Sequence, residues 1–262
     1  FAYTILQSFD FAELAARYDC SLQIGGSDQW GNITGGIDLA RRLYAKQVFG
    51  LTLPLVTKSD GTKFGKTESG AVWLDPARTS PYRFYQFWLG TADADVHRFL
   101  RYFTFLSIEQ IVEIERADLA RQGRPEGQSA LAAEMTRLVH VQSGLDAAQR
   151  ITEALFAGEE AALSSADFEQ LRLDGMPASA LSKQDLAEGS LTQLLTACGV
   201  VESGKQAKDA LQRGAVSING VPLGVEDNLK LADCFAVTRA RHGKYYVLRL
   251  GKKRHHLFYG SL

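Results

Sequence analysis

"SLQIGGSDQWGNITGGIDLARRLYAKQ" (residues 21–47) decides the fold class of this chain. Residues 21–25 are a short apolar run that predicts a buried strand, and residues 34–47 carry apolar side chains at helical spacing. Between them, "GGSDQWGN" (25–32) predicts a loop at the C-terminal end of the strand. Since ligands of α/β sheets bind beyond the carboxyl ends of the strands, this loop is the first candidate for a site.

The flanking segments continue the alternation of helix and strand. "DFAELAARY" (10–18) predicts an amphipathic helix, and "LTLPLVT" (51–57) predicts a second extended segment. The residues expected on the inner faces of the two helices are Phe11, Leu14, Ala15, Ile37, Ala40 and Leu43. The sequence therefore predicts an α/β fold for residues 1–80.

The rest of the chain changes character twice. Residues 81–160 carry apolar residues at three- and four-residue spacing and predict a helical bundle, with helix starts at Ser80 and Ser107. Residues 161–190, rich in Ala, Ser, Glu and Gly, predict a linker with weak structure. Residues 191–262 predict a compact third unit.

This third unit is the basic part of the chain. Residues 190–262 contain eleven Lys and Arg against five Asp and Glu, a net charge of +6, whereas the whole chain has −1. Lys205 and Lys208 are expected on the outer face of a short helix, with Arg213 nearby, where they could hold RNA by its phosphates. A solvated basic face is the alternative interpretation. Asn219-Gly220 predicts a type I′ hairpin turn.

Composition excludes several classes of protein. The chain has 262 residues, 45% of them hydrophobic, and its mean hydropathy is −0.12. No apolar run reaches the roughly 20 residues of a membrane span, so no membrane partner is expected. Its three cysteines have neither disulfide nor metal-ligand spacing, which predicts a reducing cytoplasm and no protein-bound metal. The first residue, Phe1, already lies in an apolar pattern without an initiator Met, so we expect a longer protein.

"DGTKFGKTESG" (60–70) looks like a phosphate-binding P-loop but misses its pattern. Asp60 stands where a P-loop has its first glycine, and the residues that follow are poor helix formers, so a P-loop NTPase is rejected. Two lysines remain on a loop whose glycines permit movement. Such a loop can close onto a triphosphate and neutralise the charge that grows as pyrophosphate leaves.

Long stretches of the chain closely resemble bacterial tyrosyl-tRNA synthetase, a class I aminoacyl-tRNA synthetase. The resemblance is carried by "LQIGGSDQWGNITGG" (22–36), "GLTLPLVTKSDGTKFGKTESGAVWLDP" (50–76), "SPYRFYQFW" (80–88) and "GAVSING" (214–220). "KFGKT" (63–67) resembles the signature loop of this family. The resemblance implies the C-terminal part of a Rossmann-like catalytic domain (1–80), an all-α anticodon-binding domain (81–160), a linker (161–190) and a small α+β RNA-binding domain of the S-four type (191–262).

The resemblance also implies which residues bind tyrosine. Tyr3, Gln7 and Asp10 share one helix face by their spacing. By the family match, Tyr3 and Gln7 contact the ammonium group and Asp10 accepts a hydrogen bond from the phenol. Gln29 fits a neutral partner near the carboxylate. Gln23, in the preceding strand, is directed either to the pocket or to a structural bond.

The ATP side of the site is implied in the same way. Gly26 lets backbone approach the nucleotide, and Asp28 binds ribose hydroxyls. Lys63 and Lys66 bind the triphosphate, with Lys66 the leading ligand, and Thr67 supports the loop or binds phosphate. Catalysis would be positioning and charge stabilisation without a protein nucleophile.

The implied reaction joins tyrosine to tRNA(Tyr). The carboxylate of L-tyrosine attacks the α-phosphate of ATP, which Mg²⁺ accompanies, and the aminoacyl group then passes to the 3′ end of the tRNA. The family also implies a homodimer, with an interface largely in a segment before Phe1. The family's H-x-G-H motif does not occur in this sequence, so we expect that this chain alone does not form tyrosyl-adenylate.

Two other functions remain as alternatives. A tryptophanyl-tRNA synthetase shares the fold and chemistry but is disfavoured by Asp10, which suits a phenol, and by the basic tail. An RNA-binding protein without catalysis is disfavoured because "GGSDQWGN" and "KFGKT" occur together.

Overall fold

The computed structural model describes residues 2–62, 64, 66–67, 70–120, 126–251 and 254–260. The helices are α1 (Ala2–Tyr18), α2 (Trp30–Tyr44), α3 (Pro81–Leu89), α4 (Asp93–Phe103), α5 (Ile108–Ala120), α6 (Gly127–Ala157), α7 (Ser165–Gln170), α8 (Lys183–Glu188), α9 (Leu191–Ala197), α10 (Gly204–Gln212) and α11 (Leu231–Cys234). The strands are β1 (Leu22–Gly26), β2 (Phe49–Leu53), β3 (Lys66–Thr67), β4 (Gly70–Ala71), β5 (Ala178–Ala180), β6 (Val216–Ile218), β7 (Val221–Leu223), β8 (Tyr245–Leu250) and β9 (Arg254–Tyr259). The chain divides into two compact units, residues 1–66 and 67–262.

In the first unit, α1 and α2 pack closely because glycines of α2 face α1. A Cβ on Gly36 would lie 2.8 Å from Cδ1 of Phe11, and one on Gly35 would lie 2.6 Å from Oγ of Ser8. Phe11 is 1% exposed and is the largest side chain of this core. The other buried members of the core are Ala12, Ala15, Ala40 and Val48.

Two inner-face predictions for these helices are wrong. Leu14 is 45% exposed and Leu43 is 53% exposed, while the other four predicted residues are buried or half-buried. Each helix is covered only along the narrow stripe of small residues that meets its partner. Both leucines lie off that stripe.

The predicted buried strand is also corrected. β1 pairs in parallel with β2, and α2 covers one face of the pair, where a Cβ on Gly50 would lie 2.4 Å from Ile33. On the other face, Ile24 is 57% exposed and its partner Leu51 is 48% exposed. The strand is therefore covered on one side only within this unit.

The predicted loop of residues 25–32 is shorter than expected. Ser27–Gln29 form a 3₁₀ turn, and α2 begins directly after it at Trp30. Asn32 is drawn into the first helical turn, where its side chain is hydrogen-bonded to Gln7 of α1. This tertiary contact outweighs the low helix propensity of Gly31 and Asn32.

In the second unit, the described residues between 81 and 157 form the four helices α3 to α6 and their short connections, in agreement with the predicted helical character. Ser80 is the N-cap of α3, since its Oγ accepts a hydrogen bond from the N–H of Arg83 at 3.0 Å. The hydroxyl of Ser107 accepts one from the N–H of Gln110 at the start of α5. α3 packs against α6, which has a kink at Val141 (φ 55°).

The weak structure expected for residues 161–190 is wrong. The segment forms α7, β5 and α8 and buries Phe168 and Leu171 completely. The carboxylate of Asp174 accepts hydrogen bonds from the backbone N–H and the hydroxyl of Ser80, at 2.9 and 2.5 Å. The segment folds because its few apolar residues pack into a core formed by elements that are distant in sequence. Such contacts cannot be predicted from the local composition of the segment.

The segment is also tied to the sheet that follows it. The carboxylate of Glu169 accepts hydrogen bonds from Arg172 (2.6 Å), Lys244 (2.9 Å) and the hydroxyl of Tyr245. These bonds, from Tyr245 first, lower the pKa of Glu169 from 4.5 to about 2. The ring of Tyr245 stacks on that of Phe168, with centroids 4.9 Å apart.

The C-terminal sheet has five strands in the order β5-β9-β8-β6-β7. β5 is parallel to β9, and the other pairs are antiparallel. The hairpin prediction is confirmed: Asn219 (φ 49°) and Gly220 (φ 83°) both have the positive φ of a type I′ turn. Alternate residues of β8 and β9 enter two separate cores, one containing Tyr246, Leu248 and Phe258 and the other Tyr245, Val247 and Leu257.

No helix in the described part of the chain is both long and apolar enough to cross a membrane.

Candidate active site

One asparagine joins two of the predicted tyrosine-binding residues. The Nδ2 of Asn32 donates to Oε1 of Gln7 and to Oε1 of Gln29, each at 3.0 Å. Gln7 belongs to α1, whereas Gln29 directly precedes α2, so the contact joins the two helices. The hydroxyl of Ser8 donates to the backbone oxygen of Asn32 at 3.3 Å and fixes the same turn.

A carboxylate sets the direction of these hydrogen bonds. The Nε2 of Gln29 donates to Oδ2 of Asp28 at 3.1 Å. Since an ionised carboxylate can only accept, Gln29 must turn its nitrogen to Asp28 and its oxygen to Asn32. Asn32 must then present its NH₂ group, and both of its hydrogens are used by the two glutamines. The hydrogen bonds that link the side chains of Asp28, Gln29, Asn32 and Gln7 therefore have one favourable arrangement of donors and acceptors.

The backbone at the end of β1 is closely surrounded. A Cβ on Gly26 would lie 2.6 Å from Oδ1 of Asp28 and 2.9 Å from Cδ2 of Leu55. A Cβ on Gly25 would lie 3.0 Å from Cβ of Gln29. The two glycines thus allow the side chains of Asp28 and Gln29 to fold back over the strand end.

The other two predicted tyrosine-binding residues lie on α1 but apart from this cluster. Tyr3 is 68% exposed, and Asp10 is also exposed. The structure brings together Gln7, Gln29 and Asp28, and it places Tyr3 and Asp10 one helical turn before and after Gln7. The roles of Tyr3 and Asp10 in tyrosine binding therefore stay predictions.

Gln23 has a feature that the sequence does not reveal. Within the described part of the chain, its Oε1 is buried without a hydrogen-bond partner. An unpaired buried acceptor is costly unless a ligand or water donates to it. Of the two directions expected for Gln23, a structural bond from this oxygen is not found among the described residues.

The signature loop is described only in part. Lys63 lies outside the described residues, while Lys66 and Thr67 form β3. Before them, the carboxylate of Asp60 accepts hydrogen bonds from the N–H and hydroxyl of Thr62, at 2.8 and 2.6 Å. These bonds lower the pKa of Asp60. Asp60, which breaks the P-loop pattern, therefore organises a turn.

Two of the predicted RNA-binding residues, Lys205 and Lys208, lie on α10, and the third, Arg213, directly follows it. Lys205, Lys208 and Arg213 are exposed and line an open depression of about 930 Å³. Arg213 is held by Asp209, one helical turn before it, at 2.5 Å. Ser203 caps the helix, since its hydroxyl accepts a hydrogen bond from the N–H of Gln206.

Among the described residues, no group of three or more His, Cys, Asp or Glu side chains is placed to hold a metal ion.

Sequence reasoning missed Asn32. It lies inside the quoted stretch "GGSDQWGN", three residues after Gln29, which is the spacing of neighbours on a helix face. That signal is hidden when the stretch is predicted to be a loop, where three-residue spacing has no meaning.

Comparison with known proteins identifies the family. A sequence profile described as tRNA synthetases class I (W and Y) matches residues 1–157. A profile described as the tyrosine–tRNA ligase SYY-like C-terminal domain matches residues 167–258.

Individual relatives agree with the profiles. The tyrosine–tRNA ligase of Aliivibrio fischeri strain MJ11 is 55% identical over 261 residues, covering 98% of this chain and 59% of that protein. The tyrosine–tRNA ligase of Neisseria meningitidis serogroup C is 55% identical over 264 residues, covering 98% of this chain and 60% of that protein. The crystal structure of a C-terminally truncated mitochondrial tyrosyl-tRNA synthetase from Aspergillus nidulans is 32% identical, with a TM-score of 0.50, and the match covers 59% of this chain and 44% of that one.

The chain spans about three fifths of the length of the curated relatives it matches. The profile of the C-terminal domain and these relatives favour the tyrosine enzymes over the tryptophan enzymes. The chain belongs to the class I tRNA synthetases for tryptophan and tyrosine, and within them to the tyrosyl-tRNA synthetase family.

Proposed function

We propose that this chain takes part in the ATP-dependent activation of L-tyrosine and in its transfer to the 3′ end of tRNA(Tyr). Its relatives are named tyrosine–tRNA ligases, and the residues that match the family's tyrosine pocket are present. The tyrosine carboxylate attacks the α-phosphate of ATP, pyrophosphate leaves, and the tyrosyl group passes from the adenylate to the tRNA.

One observation carries the proposal: Gln7 and Gln29 meet at a single group, the NH₂ of Asn32. The ammonium and carboxylate of an amino acid are attached to one carbon, so the residues that bind them must converge. Gln7 for the ammonium and Gln29 for the carboxylate meet this requirement. Asp10 lies about one turn further along α1 than Gln7, about 4.5 Å by helical rise, and we assign it to the phenol of the substrate.

The proposed nucleotide side lies at the same strand end. Gly26 would leave room for the adenylate, and Asp28 would bind the ribose hydroxyls. Lys63, Lys66 and Thr67 would bind the triphosphate, as positive charge and donors placed where negative charge grows. Mg²⁺ would arrive with the phosphates of ATP.

The second unit supplies the proposed tRNA contacts. We assign residues 81–160 to anticodon binding and residues 191–262 to an RNA-binding domain of the S-four type, joined by residues 161–190. Lys205, Lys208 and Arg213 would contact RNA phosphates. A homodimer is proposed from the family.

Thermal unfolding of the chain with non-hydrolysable aminoacyl-adenylate analogues tests the function. We expect the tyrosyl analogue to raise the melting temperature, and the tryptophanyl analogue to raise it less at equal concentration, because bound ligand stabilises only the folded state. Equal or greater stabilisation by the tryptophanyl analogue would support the tryptophan enzyme. No stabilisation by either would leave only RNA binding.

A further inference from the structure

The side chain of Asn32 has no role in the proposed chemistry, yet it is hydrogen-bonded to two residues of the proposed tyrosine site. It is half-buried, and both hydrogens of its NH₂ group point to glutamine oxygens, Oε1 of Gln7 and Oε1 of Gln29, at 3.0 Å. An amide NH₂ has only two donors, so this group is saturated. Asn32 itself is therefore not available to donate to a ligand through Nδ2.

The consequence is that the three amides cannot turn independently. If Asn32 alone rotated by half a turn, its oxygen would face two other oxygens. If Gln29 turned with it, the glutamine oxygen would face the carboxylate of Asp28, to which Nε2 now donates at 3.1 Å. The charge of Asp28 thus fixes Gln29, Gln29 fixes Asn32, and Asn32 fixes Gln7.

The hydrogen bond from Asn32 determines whether Gln7 directs its side-chain oxygen or its side-chain nitrogen toward Asn32 and Gln29. Its oxygen uses one lone pair on Asn32 and keeps the second, so an acceptor is held at this position. A free glutamine side chain would present nitrogen and oxygen there in turn. An ammonium group requires the acceptor, and an N–H in its place would repel it.

We propose that Asn32 is a positioning residue that holds the Gln7 oxygen toward the amino group of the bound amino acid. The direction of its hydrogen bonds is set by Asp28 through Gln29. This inference rests on the proposed function, since it assumes that Gln7 meets the substrate ammonium. It adds a determinant of α-amino recognition that does not itself touch the substrate.

The test compares two ligands that differ only in the amino group. The probes are a tyrosyl-adenylate analogue with a sulfamoyl linkage and its des-amino counterpart, and their dissociation constants are measured by calorimetry on the chain. The variant is Asn32→Leu, which keeps the branched shape of the side chain and removes both donors. Thr34→Val is the matched control, because Thr34 lies on the same helix and its hydroxyl donates to the backbone oxygens of Trp30 and Gly31.

We expect the wild-type chain and Thr34→Val to prefer the amino-bearing analogue by about tenfold or more, the usual effect of a hydrogen bond to a charged group. In Asn32→Leu the preference should fall to about twofold or less, while the affinity for the des-amino analogue changes little. Equal loss of both affinities would show a structural role only and would overturn the inference, as would an unchanged preference. If the wild type binds neither analogue, the proposed function itself fails.

A ligand-free measurement keeps the inference testable if Asn32→Leu does not fold. In the wild-type chain, the side-chain NH₂ protons of Asn32 should exchange with solvent at least about tenfold more slowly than those of an exposed asparagine amide, because both are hydrogen-bonded. Exchange of the Asn32 protons at the rate of an exposed amide would overturn the inference.

Discussion

Arg150 of α6 and Asp167 of α7 are joined by two hydrogen bonds, Nε to Oδ2 at 3.0 Å and Nη2 to Oδ1 at 2.7 Å. Asp167 is 1% exposed and also accepts from the N–H and hydroxyl of Ser164. Burial alone would raise the pKa of Asp167, but the bonds from Arg150 and Ser164 outweigh it, and the pKa is lowered. This pair ties the predicted linker to the helical bundle.

We expect Arg150→Met to destabilise the second unit by about 1–2 kcal/mol, because the buried carboxylate of Asp167 then loses half of its hydrogen bonds. The expected loss is smaller than for a fully buried ion pair because Arg150 is half-exposed. Arg137→Met is the control: Arg137 lies on the same helix in a surface pair with Glu134, and such pairs contribute about 0–1 kcal/mol. Urea unfolding at pH 7 measures both. Equal effects would contradict the account of residues 161–190 as a folded segment.

A second prediction concerns pH. Burial lowers the pKa of His140, whose Nε2 has no hydrogen-bond partner within the described residues and whose ring packs edge-on against Phe84. Below about pH 6.5 the unfolded chain takes up a proton that folded His140 does not, so stability should fall as pH falls from 6.5 to the lowered pKa. His256, whose pKa burial also lowers, should add to this slope.

The measurement is the free energy of unfolding between pH 5 and 8, for the wild type and for His140→Leu. The variant should show a smaller loss of stability between about pH 6.5 and 5. An unchanged slope would mean that His140 is as accessible to protons in the folded chain as in the unfolded one.

The two glycines of α2 offer a paired test of the α1–α2 packing. In Gly36→Ala the new Cβ would lie 2.8 Å from Phe11 Cδ1, and we expect a cost of about 1–3 kcal/mol from overpacking. In Gly31→Ala the Cβ meets nothing within 4 Å, so the better helix propensity of alanine should stabilise by up to about 1 kcal/mol. Amide hydrogen exchange in α1 and α2 reports both. We expect Gly36→Ala to lower the stability of these helices and Gly31→Ala to raise it. Changes in the same direction would contradict the close packing of α1 on α2.

The sequence could predict the elements whose signals are local. Ser80 and Ser203 are caps, and Asn219-Gly220 makes a hairpin, because each acts through its own neighbours. The folded structure of residues 161–190 could not be predicted, since it depends on the hydrogen bonds between Asp174 and Ser80, which is 94 positions away. Such a contact cannot be predicted from the local composition.

The candidate site shows the same division. Gln7 and Gln29 are identified through resemblance, but their meeting at Asn32 depends on where α2 begins. A loop prediction for residues 25–32 removes the helical spacing that links Gln29 to Asn32. Leu14 is misassigned because periodicity gives the apolar face of a helix but not the width of the surface that covers it.

The tail lysines lead to a prediction about RNA. In the double variant Lys205→Gln, Lys208→Gln we expect weaker binding of tRNA and a shallower slope of log K against log salt. The slope should be smaller by roughly one for each phosphate that the variant no longer neutralises. Lys46→Gln is the control, because Lys46 is paired with Asp19 in the first unit. Filter binding between roughly 50 and 200 mM salt measures the slope. An unchanged slope would remove this face from the RNA interface.

The most direct test of the central claim, that this chain holds a tyrosine site, is the affinity of the chain for tyrosyl- and phenylalanyl-adenylate analogues, with and without Asp10. If Asp10 has its proposed role as acceptor of the phenol hydrogen bond, the wild type should prefer the tyrosyl analogue by at least about tenfold, and Asp10→Ala should lose that preference. Asp38→Ala is the control, since Arg41 and Arg42 hold Asp38. A wild type that binds both analogues equally, or an Asp10→Ala variant that keeps the preference, would contradict the account.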